Sequence, residues 1–356
     1  MSASRFSFLA FGYDTVEVAY YLDIGRSELD CTSLIALRDS LRQDRKTRTS
    51  VVRLGSKEFL FQAYGMHGYP LVALCKEWII CFGPTREPSF FVKFYSAALW
   101  QYGLEQLHRM FLDWGTSAKL FPKQLERLSR VDPCFDYFLH PVDFERDHIV
   151  TRAIKNNQYR EGDQTQTFNV GAGPIRLRLY DKVSEIGVSG KTWLFQIWNC
   201  DRNVWRCEWQ ARKEIMRRFA ICTVADLMDG QGDMLTWLTT HYATLRVPTA
   251  DSNKSRWPLH PLWADIQSRA ASLPRLGVDQ SFDPEAAIPE RLSRLGKIMV
   301  GYLKRIACLY AVLHGRPAPT FPEAIEMLVT LLRQSYDRHT WHGDVAQMMD
   351  ETRLRP

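Results

Sequence analysis

Three short stretches of this chain alternate with a period of two, and each carries its charge on one side only. "RVDPCFDYF" places Arg130, Asp132, Cys134 and Asp136 at alternate positions. "RLRLYDK" does the same with Arg176, Arg178, Tyr180 and Lys182, and "RCEWQAR" with Arg206, Glu208, Gln210 and Arg212. Successive side chains of a strand point to opposite faces, so each set shares a face. The residues between them are largely apolar: Val131, Phe135 and Tyr137; Ile175, Leu177 and Leu179; Trp205, Cys207 and Trp209. Strands of this kind fit a sheet with one face against a core and one face left polar.

The rest of the chain can supply that core. Of 356 residues, 46% are hydrophobic, with 11 Trp, 19 Phe and 14 Tyr, which is too apolar for a disordered chain and enough for a large domain. Further strands are expected at "YDTVEVAYYL", "EWIICFG" and "SFFVKFYS", and a hairpin in "VVRLGSKEFLFQAY" turning at Gly55-Ser56. "SLIALRDSLRQDRK" reads as an amphipathic helix, and "AALWQYGLEQLHRMFLDWG" as a second one ending at Gly115. "DFERDHIVTRAIKNNQ" also reads as helical. "TFNVGAGPIRLRLYDK" reads as a hairpin with a glycine-rich turn; its GAG lacks the lysine and setting of a phosphate loop. "TWLFQIWNCDRNVWRCEWQARK" reads as a hairpin turning near Asp201-Arg202-Asn203. From Glu214 onward helix dominates. The expected organisation is α+β: an antiparallel-sheet domain with flanking helices over 1–245, a polar linker over 246–262, and a helical region over 263–356.

The eight cysteines are scattered without a CxxC pair, so neither a zinc ribbon nor a dithiol redox site is indicated. No signal peptide and no membrane-length apolar run is visible, and a reducing cytoplasmic location is expected. Formal charge is only +6, but it is unevenly spread. Between Arg176 and Arg218 stand ten Lys or Arg and five Asp or Glu, so this segment alone holds most of the excess. A local basic patch of that kind suits a nucleic-acid partner.

Two aspartates four residues apart on one strand face repel each other unless something neutralises them. If the three charged strands are neighbours, Asp132, Asp136 and Glu208 converge, and hard carboxylate oxygens suit Mg²⁺ or Mn²⁺. Basic groups alongside suit phosphates. The competing reading of each strand is an ordinary solvated face. Nothing points to zinc: there is no H-x-H, and His339 and His342 stand far from the acidic strands. The helix "PERLSRLGKIMVGYLKRIACLYAVL" carries an apolar stripe (Leu295, Ile298, Tyr302, Ile306, Leu309, Leu313) and basic residues elsewhere, which reads as a solvated basic face.

The order "RVDPCFDYF", "TFNVGAGPIRLRLYDK", "VWRCEWQARK" resembles the Rep_trans family of rolling-circle replication initiators, which includes plasmid initiators, related relaxases and filamentous-phage replication proteins. The specific part of the resemblance lies within 130–215. It implies an endonuclease that nicks and rejoins DNA at a replication origin, single-stranded or extruded as a cruciform, with host helicase and replication machinery as partners. A tyrosine oxygen attacks the phosphodiester and keeps its energy as a phosphotyrosine. By position, Tyr180 is the nucleophile that the resemblance implies, with Asp132, Asp136 and Glu208 as ligands of Mg²⁺ or Mn²⁺. Arg176, Arg178, Lys182 and Arg206 are the implied phosphate contacts. Some relatives carry a second tyrosine four residues on, where this chain has Ser184; Tyr159 is the other candidate nucleophile. Two other functions fit the same residues: an origin-binding protein without catalysis, and a metal-dependent nuclease in which water attacks.

Overall fold

The computed structural model describes residues 5–43, 48–153, 156–161, 164–277, 287–335, 341, 342 and 345. In chain order the first elements are β1 (Arg5–Leu22), α1 (Cys31–Gln43), β2 (Thr49–Leu54), β3 (Lys57–Gln62), β4 (Leu71–Leu74), β5 (Trp78–Phe82) and β6 (Phe90–Phe94). Next come α2 (Ser96–Tyr102), α3 (Leu104–Ser117), β7 (Pro122–His140), β8 (Ile149–Thr151), β9 (Asn156–Glu161), β10 (Gln164–Val170) and β11 (Ile175–Asp181). They are followed by α4 (Lys182–Ser189), α5 (Leu194–Trp198), β12 (Val204–Arg212), α6 (Lys213–Met216), α7 (Val224–Trp237), β13 (Ala243–Leu245) and α8 (Pro261–Ser272). The last two helices are α9 (Ala287–His314) and α10 (Phe321–Ser335).

The fold is α+β, as expected. An eleven-stranded sheet runs in the order β2-β3-β4-β5-β6-β1-β7-β12-β11-β10-β9, every neighbouring pair antiparallel. The long strands β1 and β7 form its spine, and a meander leaves from each side. Gly55, at φ 57°, makes the β2–β3 turn, where a Cβ would lie 2.7 Å from the Ser117 hydroxyl.

One sheet face is the main core. Alternate residues of β6, Phe90, Val92 and Phe94, pack there with Phe111 and Trp114 of α3. Val131 and Phe135 of β7 pack there with Trp209 and with Trp263 of α8. Each fully buried aromatic contributes roughly 1.5–3 kcal/mol from burial alone. The opposite face holds a smaller apolar cluster under α4 and α5: Ala10, Ile186, Leu194, Trp198 and Val204. The charged residues of β7, β11 and β12 lie on this second face.

Several local expectations are corrected. The helix expected over 97–115 is two helices, broken by Gly103 at φ 74°, a conformation helices cannot continue through. Residues 146–148 make one helical turn, and Ile149–Thr151 then pairs with Ala243–Leu245 rather than continuing as a helix. All three of those residues are β-branched, which favours the strand. The expected hairpin before β12 is instead the short helix α5, closed by Asn199 in the left-handed region at φ 48°. Its apolar residues Leu194 and Trp198 roof the second face.

The chain divides into two compact units, Met1–Gln280 and Ser281–Pro356, later than the boundary expected at 245. The segment expected as a linker, 246–262, belongs to the first unit. Val247 N–H donates to the Pro258 carbonyl, the Trp257 indole is buried, and α8 sets the Trp263 indole N–H on the Thr239 carbonyl at 2.8 Å. The second unit contains α9 and α10. On α9, Tyr302, Leu309 and Leu313 are exposed, while the side chains of Leu295 and Ile298 lie outside the described ones. His342 is exposed, and His339 lies outside the described residues.

Candidate active site

Strand pairing brings the three motifs together. Arg178 stands opposite Glu208 and Tyr180 opposite Arg206 across β11 and β12. Arg206 stands opposite Asp136 and Glu208 opposite Cys134 across β12 and β7. The shared face predicted from alternation is therefore one continuous patch three strands wide. Asp132, Asp136, Glu208, Arg206 and Lys182 are all at most 1% exposed, and Tyr180 is 7% exposed. Such burial is costly for charged groups unless each is paired.

The pairing is nearly complete and falls into two clusters. In the first, Arg206 donates through Nε and Nη2 to both oxygens of Asp136, at 2.6 and 2.8 Å, and through Nη1 to Asp14 at 2.7 Å. The Trp198 indole N–H also donates to Asp136, at 2.9 Å. Asp14 accepts further bonds from Ser96 and Lys191. The cations Arg206, Lys182 and Lys191 hold its carboxyl below the usual range, against the opposing effect of burial. Gly12 leaves room for the Trp100 ring, which lies 5.5 Å from the Arg206 guanidinium; a Cβ there would stand 3.0 Å from that ring.

In the second cluster, Asp132 is held by a two-pronged contact from Arg130, with Arg178 at 3.9 Å. Arg178 also ion-pairs with Glu208. The other Glu208 oxygen accepts from the Tyr180 hydroxyl at 2.8 Å. Lys182 Nζ lies 3.3 Å from the same hydroxyl and 2.5 Å from Glu185. Burial, reinforced by the Glu208 charge, pushes the Tyr180 hydroxyl well above the usual phenol range, so it rests as a neutral donor. Burial and the neighbouring Arg206 push Lys182 down. Burial, with Glu208 nearby, raises Asp132 to about 7 despite its arginines.

Lys182 reaches Tyr180 because the strand stops between them. The Asp181 side chain accepts from the Val183 and Ser184 N–H groups and caps α4, so Lys182 is the first residue of a helix and turns back over the strand. A pocket of about 480 Å³ opens there, lined by Asp14, Thr167, Asn169, Arg178, Tyr180, Lys182 and Glu208 among others. The Nε of Arg178 is buried with no hydrogen-bond partner, a donor left over beside that pocket.

The sequence-predicted residues therefore play different parts. Tyr180, Glu208, Arg178 and Lys182 meet at the pocket. Arg206, expected as a phosphate contact, is fully buried and spends its guanidinium on Asp136 and Asp14. Arg176 lies further along β11, opposite Gln210. Ser184 lines the pocket mouth, and its hydroxyl bonds the capping Asp181. Cys134 is a buried packing thiol, its sulfur 3.5 Å from the Gly12 carbonyl. Tyr159 lies on β9, but its side chain is outside the described ones. Asp14 and Lys191 escape the motif reading; the one available signal is a lone acid in the otherwise apolar and aromatic start of β1, "FLAFGYD".

The three carboxylates expected to hold Mg²⁺ or Mn²⁺ do not form one site as arranged. Asp136 gives both oxygens to Arg206 and Trp198, Asp132 gives both to Arg130, and Glu208 gives its own to Arg178 and Tyr180. Among the described residues, no group of three His, Cys, Asp or Glu side chains is placed to hold a metal ion. A cation at Asp132 and Glu208 would have to displace Arg130 and Arg178.

No known protein family matches this chain, and no curated protein matches it. Among solved structures, the chain is similar to a rolling circle replication initiator protein from Geobacillus stearothermophilus. The identity is 17% and the TM-score 0.45, over 79% of this chain and 100% of that one. A likeness at that level carries no weight for function. Among the described residues, no helix is long and apolar enough to cross a membrane.

Proposed function

We propose that this protein is a DNA strand nicking and joining enzyme of the rolling-circle initiator kind, with Tyr180 as nucleophile. The observation that carries the reading is the Tyr180 hydroxyl donating to Glu208 at 2.8 Å, with Lys182 at 3.3 Å, inside a pocket that Arg178 also lines. A nucleophile within reach of a base, with cations beside it, is the arrangement that phosphoryl attack requires.

In the proposed reaction, Tyr180 Oη attacks the phosphorus of a single-stranded phosphodiester while its proton passes to Glu208. The P–O3′ bond breaks, leaving the 5′ phosphate on Tyr180 and a free 3′ oxygen. That oxygen takes a proton from Lys182, which burial makes a readier donor. Arg178 and Lys182 balance the charge that gathers on the phosphoryl oxygens. Joining is the reverse, with a 3′ hydroxyl displacing the tyrosine. The product 3′ hydroxyl is a primer end, which suits initiation of replication by strand displacement.

The test is a denaturing gel of protein incubated with labelled single-stranded origin DNA, with EDTA and with Mn²⁺. The reading expects a covalent protein–DNA band. A cleaved strand without adduct would favour hydrolysis by water, and binding without cleavage would favour a non-catalytic origin binder.

A further inference from the structure

The site occupies only half of its sheet face. On the same face, register carries one row of side chains from β6 through β1 and β7 to β12: Lys93, Glu17, Arg130 and Arg212. Beyond it, over β4 to β6, lies a third apolar cluster of Val72, Ile79 and Cys81, with Met66, Tyr69, Leu74, Phe91 and Tyr95 partly exposed around it. No described helix of the first unit covers this cluster, in contrast to α4 and α5 over the active-site half.

Its exposed rim is aromatic. The Tyr64 side chain is 51% exposed and lies close enough to Tyr95 to perturb it electrostatically. His67 is exposed and packs against the Phe91 ring, centroids 4.7 Å apart. Tyr69 is fixed by its hydroxyl on the Pro88 carbonyl at 2.9 Å, with Tyr21 and Arg86 nearby. Two cations border the rings, Arg86 and Lys93, and neither has an ion-pair partner among the described residues. Of the acids nearby, Glu17 is paired with Arg130 at 3.5 Å, and Glu87 stands beside Tyr69 with Arg86.

We propose that the aromatic rim over the buried β4 to β6 cluster is a second subsite for single-stranded DNA, where bases stack on Tyr64, His67 and Phe91 while Arg86 and Lys93 meet the backbone. This rests on the DNA-cutting function proposed above. Partly exposed rings accept unstacked bases of any sequence, whereas a duplex hides its base faces. Four strand spacings separate β6 from β11, on the order of 20 Å. A strand held at Tyr180 therefore reaches the platform within several nucleotides.

The experiment compares fluorescence anisotropy of two labelled oligothymidylates, about thirty and about three nucleotides long, the short one too short to span pocket and platform together. Tyr64→Ala and Arg86→Glu each change an exposed residue outside the pocket. Each is expected to weaken the long oligonucleotide by about tenfold and the short one little. An iododeoxyuridine version of the long strand is expected to crosslink at Tyr64, His67 or Phe91. Unchanged long-strand affinity, with crosslinks confined to the Tyr180 pocket, overturns the subsite and leaves the cutting function standing. Failure of both oligonucleotides to bind overturns both. A change in oligomeric state with unchanged DNA affinity assigns the face to a second copy and also overturns the subsite.

Discussion

Tyr180 and Glu208 face the same side of neighbouring strands, and the tyrosine hydroxyl donates to the carboxylate at 2.8 Å across them. They are not direct cross-strand partners: Tyr180 is opposite Arg206 and Glu208 opposite Arg178. The contact is diagonal: Arg206, opposite Tyr180, binds Asp136 and Asp14, while Arg178 holds the Glu208 oxygen that the phenol does not use. It leaves a buried, neutral phenol beside a base, so ionisation of the phenol depends on proton transfer to Glu208.

Glu208→Gln keeps the shape and a hydrogen-bond partner but removes the base. Covalent attachment to DNA is expected to slow by roughly 10²–10⁴-fold, the usual worth of a general base. Oligonucleotide binding by anisotropy is expected to stay within a few-fold. A variant that attaches at the wild-type rate would remove Glu208 from the reaction.

Asp136→Ala leaves the fully buried Arg206 with Asp14 as its acid partner. Breaking one side of a buried pair costs about 3–5 kcal/mol. Urea unfolding followed by tryptophan fluorescence should show a lower midpoint by that measure. An unchanged midpoint would mean that Arg206 finds solvent or another acid, against the geometry here.

Asp132 gives a pH signature of definite sign. Its folded pKa, near 7, lies above the ordinary carboxylate value. The folded state then binds the extra proton, so this contribution to stability is complete in acid and lost as pH rises through 7. Its ceiling is about 4 kcal/mol across pH 4–7. Asp132→Asn is expected to gain on the wild type as pH rises from 5 to 8, measured as the difference in unfolding midpoint. A constant difference would show that Asp132 stays ionised throughout.

Gly12→Ala would set a Cβ at 3.0 Å from the Trp100 ring, tighter than ordinary contact. Trp100 lies over Arg206, so the crowding is passed to the Arg206–Asp136 pair. The expected loss is about 1–3 kcal/mol, the range for an overpacked core, with slower attachment. Wild-type stability would show that Trp100 can move aside freely.

Much of this was legible because a strand has a strict period of two. Three alternating segments announced one charged face, and register then placed Arg178 beside Glu208 and Arg206 beside Asp136. What alternation cannot show is the depth of burial. Arg206 looks like a phosphate contact in sequence, yet α5 and Trp198 close over it. Trp198 is hidden because "TWLFQIW" is short and mostly apolar, so period cannot separate helix from strand. Asp14 was hidden because it comes from β1, far from the motifs, where the β1–β7 register shifts between Tyr13 and Thr15.

Covalent capture separates Tyr180 from every other tyrosine. Wild type and Tyr180→Phe would each be incubated with labelled single-stranded origin DNA, digested with protease, and the DNA-linked peptide identified by mass spectrometry. The predicted result is a nucleotide adduct on Tyr180 in the wild type and none in Tyr180→Phe, with DNA binding retained by both. An adduct on Tyr159, or undiminished attachment by Tyr180→Phe, would contradict it.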